Sequence, residues 1–538
     1  MWLDVERSTL HGSSMSKPWV PAVLATVGGL LHSVSLTPGG AWWMQLLALA
    51  LLVHAVSTAS AVRAALLGWL FGVAWLTSSL WWVFISMQRY GNMPSWAATL
   101  ATAALGGGLA LYYAIATGGW AMIRRRVGAP PIAFAAFWLL AELARGTFFS
   151  GFPWAAGGYA HTSGPLTYWA PWVGVYGISL LSAWVAAALA YAWAARSSGT
   201  AAAARTLAAP LLVLLLGFML PQHFTRSSGA LSVTLLQPNV EQQEKFTERG
   251  IERILRWHQD ALAASRGTLV VTPESSIPLA SEELDSGLKN KLSAPFADGR
   301  RAALVGIFVG DEQAGYSNAL VGLTDRNGLA DPLGYRYGKR HLLPFGEYVP
   351  SGFDWFVAMM DIPIGQQMPG VNASSLAVAN QRVRPLICYE DLFGEDFVDS
   401  VVGEAAATVL VNASNFAWFG SWRPRHLEFS QAQHQHLQVS RLRAMEFQRP
   451  VLRATNTGAT TAIDHQGQVK ARLPSNVEGR LEITVNGRIG ATPYAVWLSR
   501  WGLWPLVALA MAGLVAAAAG SAKHGKQCRA GQPLDTAV

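Results

Sequence analysis

The chain is poor in cysteine and in charge. Cys388 and Cys528 are the two cysteines among 538 residues, too few for a disulfide-stapled scaffold or a cysteine-rich zinc module. Charged residues make up 13% of the chain, about half the share of an ordinary soluble domain. The GxGxxG and GxxxxGK[ST] patterns are absent, so nothing supports phosphate cradling of the dinucleotide or P-loop kind. No lysine-rich tract with interleaved aromatics occurs either. The net charge of +8 therefore does not indicate a nucleic-acid binder.

What is abundant is apolar. Hydrophobic residues make up 51% of the chain, with 23 tryptophans. Charges thin out over 18–222 and return over 228–490. A bilayer-crossing helix needs about 20 mostly apolar residues. Seven candidate segments precede the charged region, at 19–36, 41–59, 64–86, 96–122, 132–143, 172–195 and 206–220, and an eighth follows at 501–520. Glu142 and Arg145 sit three residues apart at the end of the fifth segment. They can share one helix face and partly neutralise each other, and we expect them at the membrane interface.

Lysine and arginine in short loops set the orientation. With a cytoplasmic N-terminus, the inside loops collect Arg63, Arg124, Arg196, Arg205, Lys523 and others, whereas the short outside loops hold Arg89 and Arg145. The sequence thus predicts eight transmembrane helices, both termini in the cytoplasm, and a first segment retained as an anchor. The expected divisions are a membrane domain over 1–227, an extracytoplasmic domain over 228–492, and a last span with a cytoplasmic tail over 493–538. Cys388 and Cys528 then lie on opposite sides of the membrane and cannot pair. A lone thiol in an oxidising compartment calls for a reason.

Within 228–490, short apolar or β-branched runs (231–237, 268–272, 302–309, 384–389, 406–411, 450–455, 460–463 and 480–485) alternate with amphipathic stretches at 241–264 and 434–448. Mixed strands with intervening helices predict an α/β layered domain. Such folds place their chemistry at strand ends, and three stretches put reactive side chains there. "VVTPESSIP" carries Glu274, "YGKRHLLPFGEYVP" carries Lys339, His341 and Glu347, and "PLICYEDLF" carries Cys388 and Glu390. A thiol attacks a carbonyl as its thiolate and needs a base or a positive neighbour. A glutamate can take the proton, and a lysine can stabilise the oxyanion of a tetrahedral intermediate. The trio suffices chemically for acyl transfer.

Spacing alone does not join three residues so far apart in the chain. A lone cysteine ending an apolar strand is more often a core residue, a lone glutamate after a strand is often a helix N-terminal acid, and a loop lysine is usually solvated. Zinc through His341, His426, His434, His436 and Cys388 is not expected, because residues two apart on a helix, such as His434 and His436, point to different faces.

Together the three stretches resemble the nitrilase (carbon–nitrogen hydrolase) superfamily, over roughly 231–485. With "LLQPNVEQ", "KRHLLPFGEYVP", "ICYEDLF", "NFAWFG" and "HQHLQVSRLRAMEFQRPVLRATNTGATTAIDHQG" set among apolar segments, nearly the whole chain resembles the apolipoprotein N-acyltransferase family. The resemblance implies an αββα sandwich joined to an eight-helix domain in a bacterial inner membrane, with the catalytic domain on the periplasmic side. It implies Glu274 as general base, Lys339 as charged stabiliser and Cys388 as nucleophile, with Glu347, Tyr389 and Glu390 supporting the site. Cys388 would take an acyl chain from a phospholipid, preferentially phosphatidylethanolamine. It would pass the chain as a thioester to the α-amino group of the N-terminal diacylglyceryl-cysteine of an apolipoprotein. No cofactor or metal is implied, and a monomer is expected.

Several local readings accompany the resemblance. Phe246 stands where the family often has Trp, and Asn415-Phe416-Ala417-Trp418 where it usually has Asn-Asp-Ala-Trp. Phe246, Trp418 and Phe419 are candidate lipid or substrate contacts. The aromatic, Met-rich stretch 348–365 is a candidate lipid-facing lid. The insert 421–433, with Arg423, Arg425 and His426, could meet phosphate head groups or simply be solvated. The same trio would also serve a membrane-tethered amidase with water as acceptor. A non-catalytic lipid-binding protein is the other alternative, disfavoured by spans nearly free of ionisable residues and without repeats.

Overall fold

The structure, a computed structural model, describes residues 17–530 except 128–129, 327, 332, 356, 358–365, 372–373 and 421–430; side chains at 125–127, 198 and 520–530 are also outside the description. The chain divides into two compact units, one of 1–80, 102–220 and 501–538, the other of 81–101 and 221–500.

The first unit is helical. Among the described residues, five helices are long and apolar enough to cross a membrane, or six if the bent pair Pro493–Trp501 and Trp504–Ala519 forms one span. Val20–Ser35 and Trp42–Val56 are apolar but shorter; at 1.5 Å per residue each reaches roughly 24 Å, against about 30 Å of hydrocarbon. The third candidate segment, 64–86, is not one span: its helix is Ala61–Ser79, and residues from Trp81 onward belong to the second unit. Glu142 and Arg145 do pair, at 3.1 Å, and both side chains are fully buried in the protein. Arg145 lies in the last turn of helix Pro131–Thr147 and is not a loop charge. Its guanidinium donates to the Tyr113 hydroxyl (2.9 Å) and to the carbonyls of Phe152 and Trp154, and Tyr113 donates to Glu142.

The second unit contains two sheets. The first runs β13 (Gly479–Gly490), β1 (Thr225–Gln237), β2 (Leu269–Val271), β4 (Ala302–Asp311), β5 (Gly315–Leu323) and β6 (Arg336–Gly338), with β3 (Ile277–Ala280) also on β4. The second runs β12 (Val469–Arg472), β11 (Thr461–Ile463), β10 (Val451–Thr455), β9 (Val409–Ser414), β8 (Gln381–Ile387) and β7 (Leu376–Val378). Alternation along the strands builds the layers. Leu269, Val271 and Leu304 face a core shared with Val383, Val409, Val411 and Leu452 of the other sheet. Val270, Ala303 and Val305 face outward, onto Leu262 of helix Glu248–Ala264 and Leu292 of helix Ser286–Ser293. Helix Gln431–Phe447 packs against β10 and β11. The result is an αββα sandwich.

Every strand expected from the sequence is present, most with shifted ends, and the two amphipathic stretches become helices 248–264 and 431–447. Strands β3, β5, β6, β7 and β12 are additional. Most are short or edge strands, whose few residues carry too little alternation to read.

Candidate active site

The parallel core strands end at the same side of the sandwich, and the reactive residues sit just past those ends. β2 stops at Val271, and Glu274 follows Thr272-Pro273. β6 stops at Gly338, and Lys339 follows, its backbone N–H on the Asn318 carbonyl of neighbouring β5 (2.8 Å). β8 stops at Ile387, and Cys388 opens a single 3-10 turn. Cys388 has φ +49°, in the left-handed region that costs a non-glycine residue roughly 1–3 kcal/mol.

These residues, distant in sequence, converge. Lys339 Nζ lies 3.3 Å from Glu274 Oε1 and 2.7 Å from Glu347 Oε1, with all three side chains buried. Burial opposes the lysine's charge, but the Glu347 and Glu274 carboxylates outweigh it and raise its pKa, so Lys339 stays protonated. The Asn318 amide donates to Glu274 (2.8 Å), and the Asn415 N–H donates to the other oxygen of Glu274 (2.9 Å). Glu347 is held at its second oxygen by the Leu343 N–H (2.7 Å).

Burial and then the negative charge of the Glu274 carboxylate push the Cys388 pKa up; Lys339 offsets only part of this. The resting group is therefore a neutral thiol. Chemically, a carboxylate, a lysine ammonium and a thiol suffice for a thiol to attack a carbonyl with proton transfer to the carboxylate and a cation for the oxyanion.

Glu390 does not face the trio as a free acid. It accepts from the N–H groups of Ile387 (2.6 Å) and Arg340 (2.7 Å) and from the Tyr337 hydroxyl (2.8 Å), tying the Cys388 turn to the Lys339 loop. Tyr389 is buried with its ring edge-on to Phe393 (5.2 Å).

Two family models match the chain: the apolipoprotein N-acyltransferase N-terminal domain over 28–188 and carbon-nitrogen hydrolase over 232–494. The apolipoprotein N-acyltransferase of Verminephrobacter eiseniae (strain EF01-2) is 44% identical over 517 residues, covering 90% of this chain and 93% of that one. The chain belongs to the apolipoprotein N-acyltransferase family. A second relative of that name, from Ralstonia nicotianae, is 39% identical over 88% of this chain and 89% of its own. Among solved structures, XC1258 from Xanthomonas campestris, a CN-hydrolase superfamily protein, is 16% identical, with a TM-score of 0.35, over 51% of this chain and 96% of that one.

The aromatic residues of this N-acyltransferase family member divide by exposure. Phe246 (55%) and Trp418 (42%) are exposed, while Phe419 is buried edge-on to Trp82 at 4.5 Å. The segment 81–101 packs on this wall. The Trp82 indole donates to Gln435 (3.3 Å), Ser86 donates to the Trp418 carbonyl (2.8 Å), and Tyr90 meets the Trp418 ring. Phe353 and Trp355 of the lid stretch are exposed, but 356 and 358–365 lie outside the described residues, as do Arg423, Arg425 and His426 of the insert.

Among the described residues, no group of three or more His, Cys, Asp or Glu could hold a metal ion. His341 stacks on Phe393 and approaches Asp396, and His436 contacts the Cys388 carbonyl. Sequence reasoning missed Asn318, Asn412 and Arg453, weighed His436 only as a zinc ligand and noted Asn415 only as a family position. A signal existed for the three missed residues: Asn318, Asn412 and Arg453 interrupt otherwise apolar strands in "YSNALVG", "VLVNAS" and "VLRAT". A buried polar side chain in a strand must find partners.

Proposed function

We propose that the protein moves a fatty acyl chain from a phospholipid, phosphatidylethanolamine by preference, to the α-amino group of the N-terminal diacylglyceryl-cysteine of an apolipoprotein. The observation that carries this reading is the buried Lys339 held between Glu274 (3.3 Å) and Glu347 (2.7 Å), on loops that follow strand ends as Cys388 does. In the first half-reaction Cys388 Sγ attacks the ester carbonyl while Glu274 takes the thiol proton. Lys339 steadies the oxyanion, and the lysophospholipid alkoxide leaves with the proton returned by Glu274. In the second, the amine attacks the thioester, Glu274 accepts its proton, and the Cys388 thiolate leaves and is reprotonated. A thioester suits this role because amines attack it readily and the thiolate leaves well.

Glu347 keeps Lys339 charged and in place, and Glu390 and Tyr389 shape the nucleophile's turn. The exposed rings of Phe246 and Trp418 offer acyl-chain contacts, with Phe419 and Trp82 packed behind Trp418. The reading further assigns eight spans, cytoplasmic termini, a periplasmic domain over 228–492 between membrane parts 1–227 and 493–538, and a monomer. Two lipid substrates explain a hydrolase-like domain carried by apolar helices.

Mass spectrometry of the purified protein mixed with phosphatidylethanolamine tests the proposal. The expected result is an acyl adduct on Cys388, stable in water and discharged by a diacylglyceryl lipopeptide. Rapid discharge by water alone would instead make the protein a tethered hydrolase.

A further inference from the structure

The Cys388 carbonyl is gripped from two sides. The Asn412 amide, from the adjacent strand β9, donates to it at 3.1 Å, and His436 Nε2 lies 3.0 Å away. His436 comes from helix Gln431–Phe447 and is fully buried. Its other ring nitrogen, Nδ1, is 2.7 Å from Nη1 of Arg453 on β10. A guanidinium can only donate. Nδ1 must therefore accept, so the ring proton sits on Nε2 and His436 donates to the Cys388 carbonyl. Arg453 is held in turn by the Ser440 hydroxyl and by Asp391, whose carboxylate is 3.6 Å away and also accepts from Ser440. Burial, reinforced by the Arg453 charge, lowers the His436 pKa well below its usual value, which keeps the ring neutral.

None of these groups has a role in the acyl-transfer chemistry above. What they share is the one peptide group whose orientation, together with φ of +49°, aims the Cys388 side chain. An L-residue leaves the left-handed region unless its surroundings over-determine it. Two donors on one carbonyl, one of them fixed in tautomer by an arginine, do that. We propose that His436, locked as its Nε2–H tautomer by Arg453, is a positioning residue that holds the Cys388 nucleophile in its attacking backbone conformation. This rests on the assignment of Cys388 as nucleophile.

The test uses the full-length protein in detergent with two probes, 4-nitrophenyl butyrate and phosphatidylethanolamine micelles. The small ester acylates Cys388 with release of one 4-nitrophenolate per Sγ–acyl bond, so it reports nucleophile geometry without the lipid site. His436→Leu removes the donor, and His436→Gln retains an N–H that reaches the carbonyl. The expected result is about a 100-fold loss of acylation rate in His436→Leu with both probes, the size of effect a misplacement of about 1 Å produces. KM for the lipid should be unchanged, and His436→Gln should recover to within about tenfold of wild type. Equal losses in both variants, or a loss confined to KM, would overturn the proposal, as would no loss at all. Should His436→Leu not fold, His436→Gln against wild type decides by the same tenfold margin. Cys388→Ala separates the two readings. Continued lipid acyl transfer in that variant defeats the function proposed above, whereas a dead Cys388→Ala with unaffected His436 variants defeats only the positioning role.

Discussion

At the scale of single residues, the site works by crowding opposite charges around one lysine. Lys339 serves two carboxylates, and Asn318 donates to both, at 2.8 Å to Glu274 and 3.5 Å to Glu347. Glu274→Gln keeps that shape but cannot take the thiol proton. Cys388 acylation should fall by about 10²–10⁴-fold, the usual worth of a general base, with the melting temperature little changed; stopped-flow acylation and thermal unfolding check both. Phe246 lies apart from these hydrogen bonds and is more than half exposed. Phe246→Ala should weaken turnover of the lipid donor while leaving Cys388 reactivity toward a small ester intact, a difference seen by running the two substrates side by side. Glu274, Lys339 and Cys388 were each legible as reactive groups at strand ends. Their meeting was not, because contact between strands of different sheets leaves no trace in spacing along one chain.

At the scale of elements, buried titratable groups set where the molecule is vulnerable. Helix Glu248–Ala264 starts on a Thr247 cap that accepts from the Gly250 N–H, and it buries His258. Desolvation, with repulsion from Lys245, lowers the His258 pKa from 6.5 to about 4. Below pH 6.5 the unfolded chain binds a proton that the folded helix refuses. Stability from this group is thus whole above 6.5 and drains as pH falls toward 4, by at most about 3 kcal/mol. Melting curves between pH 7 and 4 should show this slope, and His258→Gln should flatten it. In helix Pro131–Thr147, the buried Arg145–Glu142–Tyr113 cluster ties two helices of the apolar unit together. Removing one partner strands the other, so Arg145→Leu should cost about 3–5 kcal/mol, visible as a lowered unfolding midpoint in detergent. Sequence periodicity marked these helices but not what they bury. The turn after Ser79 escaped it altogether, because Trp81, Trp82, Val83 and Phe84 are as apolar as a span.

At the scale of the molecule, apolar helices and an αββα sandwich occur in one chain. The proposed orientation has a direct check. A cysteine introduced at exposed Glu312 in a Cys528→Ser background should react with a membrane-impermeant maleimide added to whole spheroplasts, and native Cys528 should not. Labelling of Cys528 from outside, with Glu312→Cys silent, would reverse the assigned sides.

The sequence by itself determined the partition into apolar helices and a layered α/β domain, because burial in lipid and burial in a sheet leave different periodicities. It also set reactive side chains, Glu274, Lys339 and Cys388, at strand ends. The tertiary structure decided the rest. It placed 81–101 with the sandwich by docking Trp82 and Ser86 on the Trp418–Phe419 wall. It made Glu390 a brace by surrounding it with backbone N–H groups. It brought His436, weighed from sequence only as a zinc ligand, within 3.0 Å of the Cys388 carbonyl. Each of these depends on which groups meet across strands and helices far apart in the chain, and a hydrogen bond has no direction until both partners have positions.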